Sequence, residues 1–193
     1  MGLVPVSGVY ARFLFCYWWD PQSQTGSQNF VIGRVALVPF VVAHTYYIDQ
    51  FILPLRAGSA SGNNFRACIY ADNGDTPVGG KLMVDSGQFT GKYPYNPDVA
   101  PLTPSITLAN QVRLDAGQYW VGAQSDSAVP AFSRNNSFAG GTDCVAVNSL
   151  PASFLGSYYD NPGGFGAFQN PCPAVTQDPN YSIVLTIRVA KAV

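Results

Sequence analysis

The sequence predicts an all-β fold, namely an antiparallel two-sheet sandwich that is jelly-roll-like and carries an N-terminal extension. No segment of the 193 residues keeps the 3.6-residue apolar period of an amphipathic helix. Several short runs instead alternate apolar and polar residues, as half-buried strands do. The chain has 19 Gly and 15 Pro, more than average usage gives, which is typical of many short strands joined by tight turns. About nine strands at this spacing indicate a sandwich.

The first 29 residues differ from the rest of the chain. Val9 to Trp19 is an aromatic-rich run that ends at Asp20-Pro21, and Gln22 to Asn29 is a polar linker. We therefore divide the chain into residues 1–29, a docking arm or an edge strand, and residues 30–193, the sandwich domain. An arm that reaches a neighbouring subunit would use its aromatic side chains, and the candidate assembly contacts are Phe13, Phe15, Tyr17, Trp18 and Trp19.

The predicted strands of the first half end at Gly, Pro, Asn or Asp. They are Arg34–Val42, Tyr46–Arg56 and Phe65–Tyr70. In the third of these strands Phe65, Ala67 and Ile69 alternate with the residues between them. The Asp72–Asp75 segment that follows forms a turn, because Asn, Asp and Gly tolerate positive φ.

The second half has fewer strand signals and longer loops. Further strands are predicted at Lys81–Asp85, Ser105–Leu108, Gln118–Gln124 and Tyr181–Val189. The strand at 118–124 is the clearest, with Tyr119, Val121 and Ala123 on one side and Trp120 on the other. The stretches 91–104 and 126–180 are predicted to be mostly loop, with weak strands near Cys144 and Tyr158.

The chain carries little charge. Charged residues make up 11% of it and the net charge is −1, where a soluble domain usually has about 25% charged residues. Neutral polar side chains must therefore cover the surface, which favours contact with neighbouring subunits over an ordinary low-charge surface. Scattered Lys and Arg make nucleic acid an unlikely partner. The longest apolar run, Val35–Ala43, is too short to span a membrane, and no secretory signal is visible.

Residues that could support catalysis or bind a metal are few. His44 is the only histidine, and its surroundings offer neither a nucleophile nor an orienting partner. The four cysteines lack zinc spacing; buried thiols are favoured, although two disulfides with three connectivities stay open. These cysteines are Cys16, Cys68, Cys144 and Cys172. We predict no enzyme activity, no catalytic residue and no cofactor.

Three aspartates lie close together in the sequence. Asp72, Asp75 and Asp85 could form the paired carboxylates of a glycosidase, and the Asp72–Asp75 segment offers oxygens of the kind that calcium takes. Asp is also the residue that turns favour for backbone hydrogen bonds. We predict turn chemistry here, and no metal site.

Aromatic residues in loops are better functional candidates than the carboxylates. Tyr93 and Tyr95 lie in a Pro-rich loop, and Tyr158 and Tyr159 precede a Gly-rich segment that contains Phe165. A tyrosine offers an apolar ring and a hydroxyl, which suits contact with a sugar or with a pocket of a partner. These four tyrosines are the candidate receptor or glycan contacts, and packing or subunit contact is the alternative.

Several short motifs resemble a β-sandwich module of bacteriophage tail-fibre and other virion structural proteins. The resemblance rests on Pro39–Val42, Ile48–Phe51, Cys68–Gly74, Gly87 and Leu114–Trp120. In that family an "IYxDNGG" turn precedes an "LxxGxYWxA" strand at a similar separation. The resemblance extends from about Phe30 to Val189. Two features depart from the family: this chain is nearly all module, and Asp75 stands where the family usually has Gly.

The resemblance implies a non-enzymatic structural protein located in the virion. We expect a surface-exposed fibre or tail component that contacts a host-surface glycan or protein, and that assembles with other virion proteins as a homotrimer or another symmetric oligomer. One alternative is a capsid decoration protein. A further alternative, from a different class, is a free carbohydrate-binding module.

Overall fold

A computed structural model describes most of the predicted sandwich domain and short parts of the N-terminal segment. The described residues are 5–6, 9–10, 12–15, 26–42, 44–53, 55–57, 63–91, 105–128, 131–134, 156–178 and 185–192. Their regular structure is entirely β-strand. In chain order the strands are β1 Pro5–Val6, β2 Val9–Tyr10, β3 Arg12–Phe15, β4 Gly26–Asn29, β5 Arg34–Val42, β6 Tyr46–Ile52, β7 Leu55–Ala57, β8 Asn63–Ala71, β9 Leu82–Asp85, β10 Phe89–Gly91, β11 Ser105–Leu114, β12 Gly117–Ser125, β13 Ala131–Arg134, β14 Ser157–Asp160, β15 Thr176–Gln177 and β16 Thr186–Ala192.

Two antiparallel sheets dominate the fold. The seven-stranded sheet has the order β10-β8-β12-β5-β14-β15, with β9 also paired to β8, and the four-stranded sheet has the order β11-β6-β16-β3. Strands β4, β13 and β7 form a third sheet, and β1 pairs with β2. The prediction of an all-β, antiparallel two-sheet sandwich is confirmed.

The main core lies between the two large sheets. Every second residue of β5, β8 and β12 points into it, which is the period of a pleated strand. The four-stranded sheet contributes apolar residues of β6 and β16, together with Leu185. Full burial of each large apolar side chain stabilises the fold by roughly 1.5–3 kcal/mol. The buried residues of the three central strands are Ala36, Val38, Phe40, Val42, Phe65, Ala67, Ile69, Tyr119, Val121 and Ala123.

A second core covers the outer face of the seven-stranded sheet. The intervening residues of the central strands are also buried there, and residues 161–178, which we call the cover segment, supply the other side. A sheet with apolar residues on both faces needs such a cover, because exposed apolar surface is unfavourable in water. The buried members are Val35, Leu37, Cys68, Tyr70, Trp120, Tyr159, Phe168 and Cys172.

Two strands agree with their predicted bounds, and a third is longer than predicted. Strand β5 has the predicted bounds Arg34–Val42, and β12 contains the whole of the predicted 118–124 strand. Strand β11 runs to Leu114, beyond the predicted end at Leu108, and its pairing to β6 has a register shift between Thr107 and Val112. Extra residues in such a bulge keep an edge strand irregular.

The N-terminal segment contributes strands to this chain's own sheets. Strand β3 forms an edge of the four-stranded sheet, with Phe13 opposite Arg188 and Phe15 opposite Thr186. Strand β4 pairs with β13. Contact of this segment with a neighbouring subunit stays a prediction.

Candidate functional site

Two of the segments on which the resemblance rests, Cys68–Gly74 and Leu114–Trp120, meet at one end of the seven-stranded sheet. Strands β8 and β12 are neighbours, with Tyr70 opposite Trp120 and Ala71 opposite Tyr119. The first residue after β8 is Asp72, whose Oδ1 accepts hydrogen bonds from Trp120 Nε1 at 2.8 Å and from Gln118 Nε2 at 2.9 Å. The indole of Trp120 is buried, at 1% exposed. Asp72 therefore provides the acceptor that a buried indole N–H needs.

The other oxygen of Asp72 closes the turn. Asp72 Oδ2 accepts the backbone N–H of Asp75 at 3.0 Å, and the N–H of Asn73 donates to the carbonyl of Thr76 at 2.9 Å. Asp75 has a φ of 65°, in the left-handed region that Asp tolerates better than most residues. We call Asp72, Trp120, Gln118 and this turn the Asp72 frame.

The remaining carboxylate of the predicted group also serves local structure. Asp85 Oδ2 lies 2.7 Å from Arg66 Nη2, and Asp85 Oδ1 accepts the N–H of Gly87 at 2.9 Å. The structure thus shows the turn role that we predicted for Asp72, Asp75 and Asp85, together with an Arg66–Asp85 ion pair that was not predicted. Within the described ranges, no group of three or more His, Cys, Asp or Glu side chains lies close enough to hold a metal ion.

The histidine and two of the cysteines have simple surroundings. His44 is exposed and its ring contacts that of Tyr46 edge-on, with centroids 6.4 Å apart. Cys68 and Cys172 are free thiols in the second core. Burial raises the pKa of Cys172 to about 12 and raises that of Cys68 well above its ordinary value. Both thiols are protonated at neutral pH and act as small apolar groups, in agreement with the prediction of buried thiols. Cys16 and Cys144 lie outside the described residues.

A phenol pair links the sheet to the cover segment. Tyr70 Oη donates to the carbonyl of Gln169 at 2.7 Å and lies 2.9 Å from Tyr159 Oη. Since a phenol carries one proton, Tyr159 donates in the second bond. Burial is the main cause that raises the pKa of both tyrosines. Tyr159, predicted as a contact residue, is only 3% exposed and forms part of the second core.

Tyr158 lies on the opposite side of β14 and is half-buried. The guanidinium carbon of Arg34 stands 3.9 Å from the centroid of its ring, within the range of a cation–π contact. Arg34 Nε also donates to Asp160 Oδ1 at 2.8 Å, and the Asp160 side chain is 66% exposed. Strands β5 and β14 hold these residues together, because Ala36 pairs with Tyr158 and Arg34 with Asp160.

An apolar turn adjoins this group. Val31 and Ile32 are 40% and 59% exposed, and the N–H of Arg34 closes their turn by donating to the carbonyl of Val31 at 2.9 Å. The turn packs on the cover segment, where a Cβ at Gly33 would stand 2.8 Å from Gly164 Cα. We call Val31, Ile32, Arg34, Tyr158 and Asp160 the rim.

The rim gathers only one of the predicted contact residues. Tyr158 is a member, but Val31, Ile32, Arg34 and Asp160 did not stand out in the sequence. The available signal was the Val-Ile-Gly tripeptide, in which two large apolar residues precede a turn glycine. Tyr93, Tyr95, Tyr17, Trp18 and Trp19 lie outside the described residues, so their predicted roles stay predictions.

Several charged side chains of the described residues are paired with one another. Four Arg–Asp ion pairs link Arg34 to Asp160, Arg66 to Asp85, Arg113 to Asp115 and Arg188 to Asp49. The ion pair between Arg188 and Asp49 is bidentate, with N–O distances of 2.7 and 2.8 Å. Hydrogen bonding to Asp49 raises the pKa of Arg188. Among the described residues, eight charged side chains are thus mutually neutralised.

Comparison of the chain with protein-family models and with curated proteins gives no match. A search of the described residues finds no helix with the length and apolar character needed to cross a membrane.

Proposed function

We propose that this chain is a non-enzymatic structural protein of a bacteriophage virion, exposed on a fibre or tail, where it contacts the host surface. The observation that carries the proposal is the composition of the chain together with its ion pairing. Charged residues make up 11% and aromatic residues 13% of the chain, and eight charged side chains of the described residues form internal Arg–Asp pairs. Depletion of charge and enrichment in aromatic residues are features of the buried centres of protein interfaces.

The use of the motif residues supports a role in structure. In the Asp72 frame, both carboxylate oxygens accept hydrogen bonds from groups of the same chain. Residue types that often occur in active sites therefore hold two strand ends together here. A frame of this kind suits a module whose function lies in its surfaces.

The rim supports the host-contact part of the proposal. It combines the exposed side chains of Val31 and Ile32, which lie in the turn before Arg34, with the half-buried ring of Tyr158 and the Asp160 side chain, which is 66% exposed. An apolar patch beside hydrogen-bonding groups can pack on the ring of a sugar or on a protein surface and bind its polar groups. The partner classes are a host-surface glycan or protein and the other virion proteins, with a homotrimer or another symmetric oligomer as the assembly.

Immunogold electron microscopy of purified particles tests the location. Antibodies against the recombinant chain are expected to label fibres or the tail of particles from the virus whose genome carries this sequence. Label on the capsid shell would favour the decoration alternative and contradict a fibre or tail role. Particles without label, when a known virion protein is labelled in parallel, would contradict the virion proposal and favour a free binding module.

Competition for adsorption tests the rim. The purified chain is expected to slow adsorption of the virus to its host, and the Ile32→Asn variant is expected to compete less well because its apolar contact is lost. Met83→Asn is the matched control, since Met83 is an exposed apolar residue on β9, outside the rim. Equal competition by the two variants would show that the rim is not part of the surface that contacts the host.

A further inference from the structure

The turn that follows β8 contains an exposed Asn-Gly pair. Asn73 is the only asparagine of the chain that precedes a glycine. Both residues are exposed. Gly74 has a φ of 73°, and a Cβ built on it would meet no atom within 4 Å. The backbone nitrogen of Gly74 thus lies in an open part of the turn, where no side chain hinders its approach to the preceding residue.

The hydrogen bonds of the turn leave this nitrogen available. Among the described residues, the N–H of Gly74 donates to no acceptor, whereas its neighbours Asn73 and Asp75 both donate within the turn. The side chain of Asn73 is held by one bond, from Nδ2 to the carbonyl of Val78 at 2.9 Å. That bond uses the amide nitrogen, and the residue itself is exposed.

We propose that Asn73 is a site of spontaneous deamidation through a cyclic imide with Gly74. The Gly74 nitrogen forms a bond to Asn73 Cγ as it loses its proton, and the bond from Cγ to Nδ2 breaks. Nδ2 leaves as ammonia and takes up that proton. Water then adds to one of the two imide carbonyls and opens the ring, giving aspartate or isoaspartate. The net change consumes one water and releases one ammonia, and it needs no other reactant.

The product perturbs the turn that supports the Asp72 frame. Deamidation replaces the Nδ2 donor with a carboxylate, so the carbonyl of Val78 loses its partner and faces a second acceptor. The new charge lies between Asp72 and Asp75 in the sequence, where like charges repel. Isoaspartate also lengthens the backbone by one carbon. The net charge of the chain changes from −1 to −2.

Peptide mapping tests the proposal in the full chain. Trypsin cuts after Arg66 and Lys81, and the resulting peptide 67–81 contains Asn73 as its only asparagine. After incubation of the folded protein for several weeks in mildly alkaline buffer, this peptide is expected to gain about 1 Da in part of the sample. The modified fraction is expected to split into two chromatographic peaks, one of which is a substrate for an isoaspartate methyltransferase.

An internal control comes from the same digest. Peptide 93–113 contains Asn96, which cannot cyclise because Pro97 has no N–H, and Asn110, which is exposed on β11 and precedes Gln111. This peptide is expected to stay unmodified. Conversion at Asn73 no faster than at Asn110 in the folded protein would overturn the proposal. Loss of the isoaspartate signal in Asn73→Gln, with the wild-type signal present, would support it.

Discussion

Asp72→Ala tests whether the Asp72 frame holds the end of the sheet together. The substitution removes the acceptor of the indole N–H of Trp120, a residue that is 1% exposed. An unsatisfied buried donor costs about 1–3 kcal/mol, and loss of hydrogen bonds to a charged acceptor has a similar magnitude. Gln118 and the N–H of Asp75 are more accessible and can bind water instead. The expected loss in the free energy of unfolding is about 2–4 kcal/mol.

Urea unfolding followed by circular dichroism measures this loss. With a slope of about 2 kcal/mol per molar urea, the midpoint is expected to fall by about 1–2 M. Asp75→Asn is the matched control in the same turn, because Asn also tolerates positive φ, and its effect is expected to stay within about 0.5 kcal/mol. A midpoint for Asp72→Ala equal to that of Asp75→Asn would show that the hydrogen bonds accepted by Asp72 do not stabilise the fold.

A double-mutant cycle assigns the loss to the indole bond. In a Trp120→Phe background, Asp72→Ala no longer leaves the indole N–H of Trp120 without its acceptor. The loss of unfolding free energy caused by Asp72→Ala is therefore expected to be smaller by about 1–2 kcal/mol. Additive effects of the two substitutions would show that Asp72 acts through other contacts.

Three further predictions concern the two cores. Gly122→Ala is expected to destabilise the fold by about 1–3 kcal/mol, because its Cβ would stand 2.5 Å from a backbone oxygen of β5. Gly163→Ala is the control in urea unfolding, because its Cβ would meet no atom within 4 Å. Equal unfolding midpoints for the two variants would contradict the close packing at Gly122. With the other two cysteines replaced by serine, Cys68 and Cys172 are expected to react with a maleimide only in denaturant, and rapid labelling of the native protein would show that the second core opens. The raised pKa values of these thiols mean that the folded state holds their protons more tightly than the unfolded state. The contribution of the two thiols to the free energy of unfolding is therefore complete below the unfolded pKa near 9. It decreases as the pH rises towards the folded pKa, which is about 12 for Cys172. Between pH 8 and pH 10.5, Cys172 alone is expected to lower the free energy of unfolding by about 2 kcal/mol. A thiol-free variant that loses as much unfolding free energy as the wild type over this range would contradict the assignment to Cys172.

The sequence predicted the strands that have one strong pattern. Strand β5 was predicted with its observed bounds because a run of β-branched and apolar residues is bounded by a turn glycine on one side and a polar break on the other. Its Pro39 lies beyond Leu37, the residue at which pairing with β14 ends, so the missing N–H breaks no pairing with that strand. The alternation of β12 likewise predicted that Tyr119, Val121 and Ala123 share one face, which in the structure is the face of the main core.

The cover segment was not predicted, although one signal for it was present. Residues 161–178 have no apolar period and contain many Gly and Pro, so local patterns indicate only a loop. However, Cys68, Tyr70 and Trp120 are apolar or aromatic on the face opposite the main core. A strand that is apolar on both faces needs a cover on both, and only the tertiary structure shows which segment supplies it.

The rim could not be predicted because its residues are distant in the sequence. Arg34 and Asp160 become neighbours only through the pairing of β5 with β14. The same pairing turns Tyr158 towards Arg34 and Tyr159 towards Tyr70. Adjacent tyrosines on one strand point to opposite faces, so a pair that looks uniform in the sequence has two different environments.

Quantitative mass spectrometry of purified particles tests whether the chain is a structural protein of the virion. A structural protein of the virion is expected to co-purify through a density gradient in a fixed number of copies per particle, in proportion to the major capsid protein. That ratio is expected to stay constant across the particle peak. Absence of the chain from the particle fractions, with the chain present in the lysate, would contradict the account.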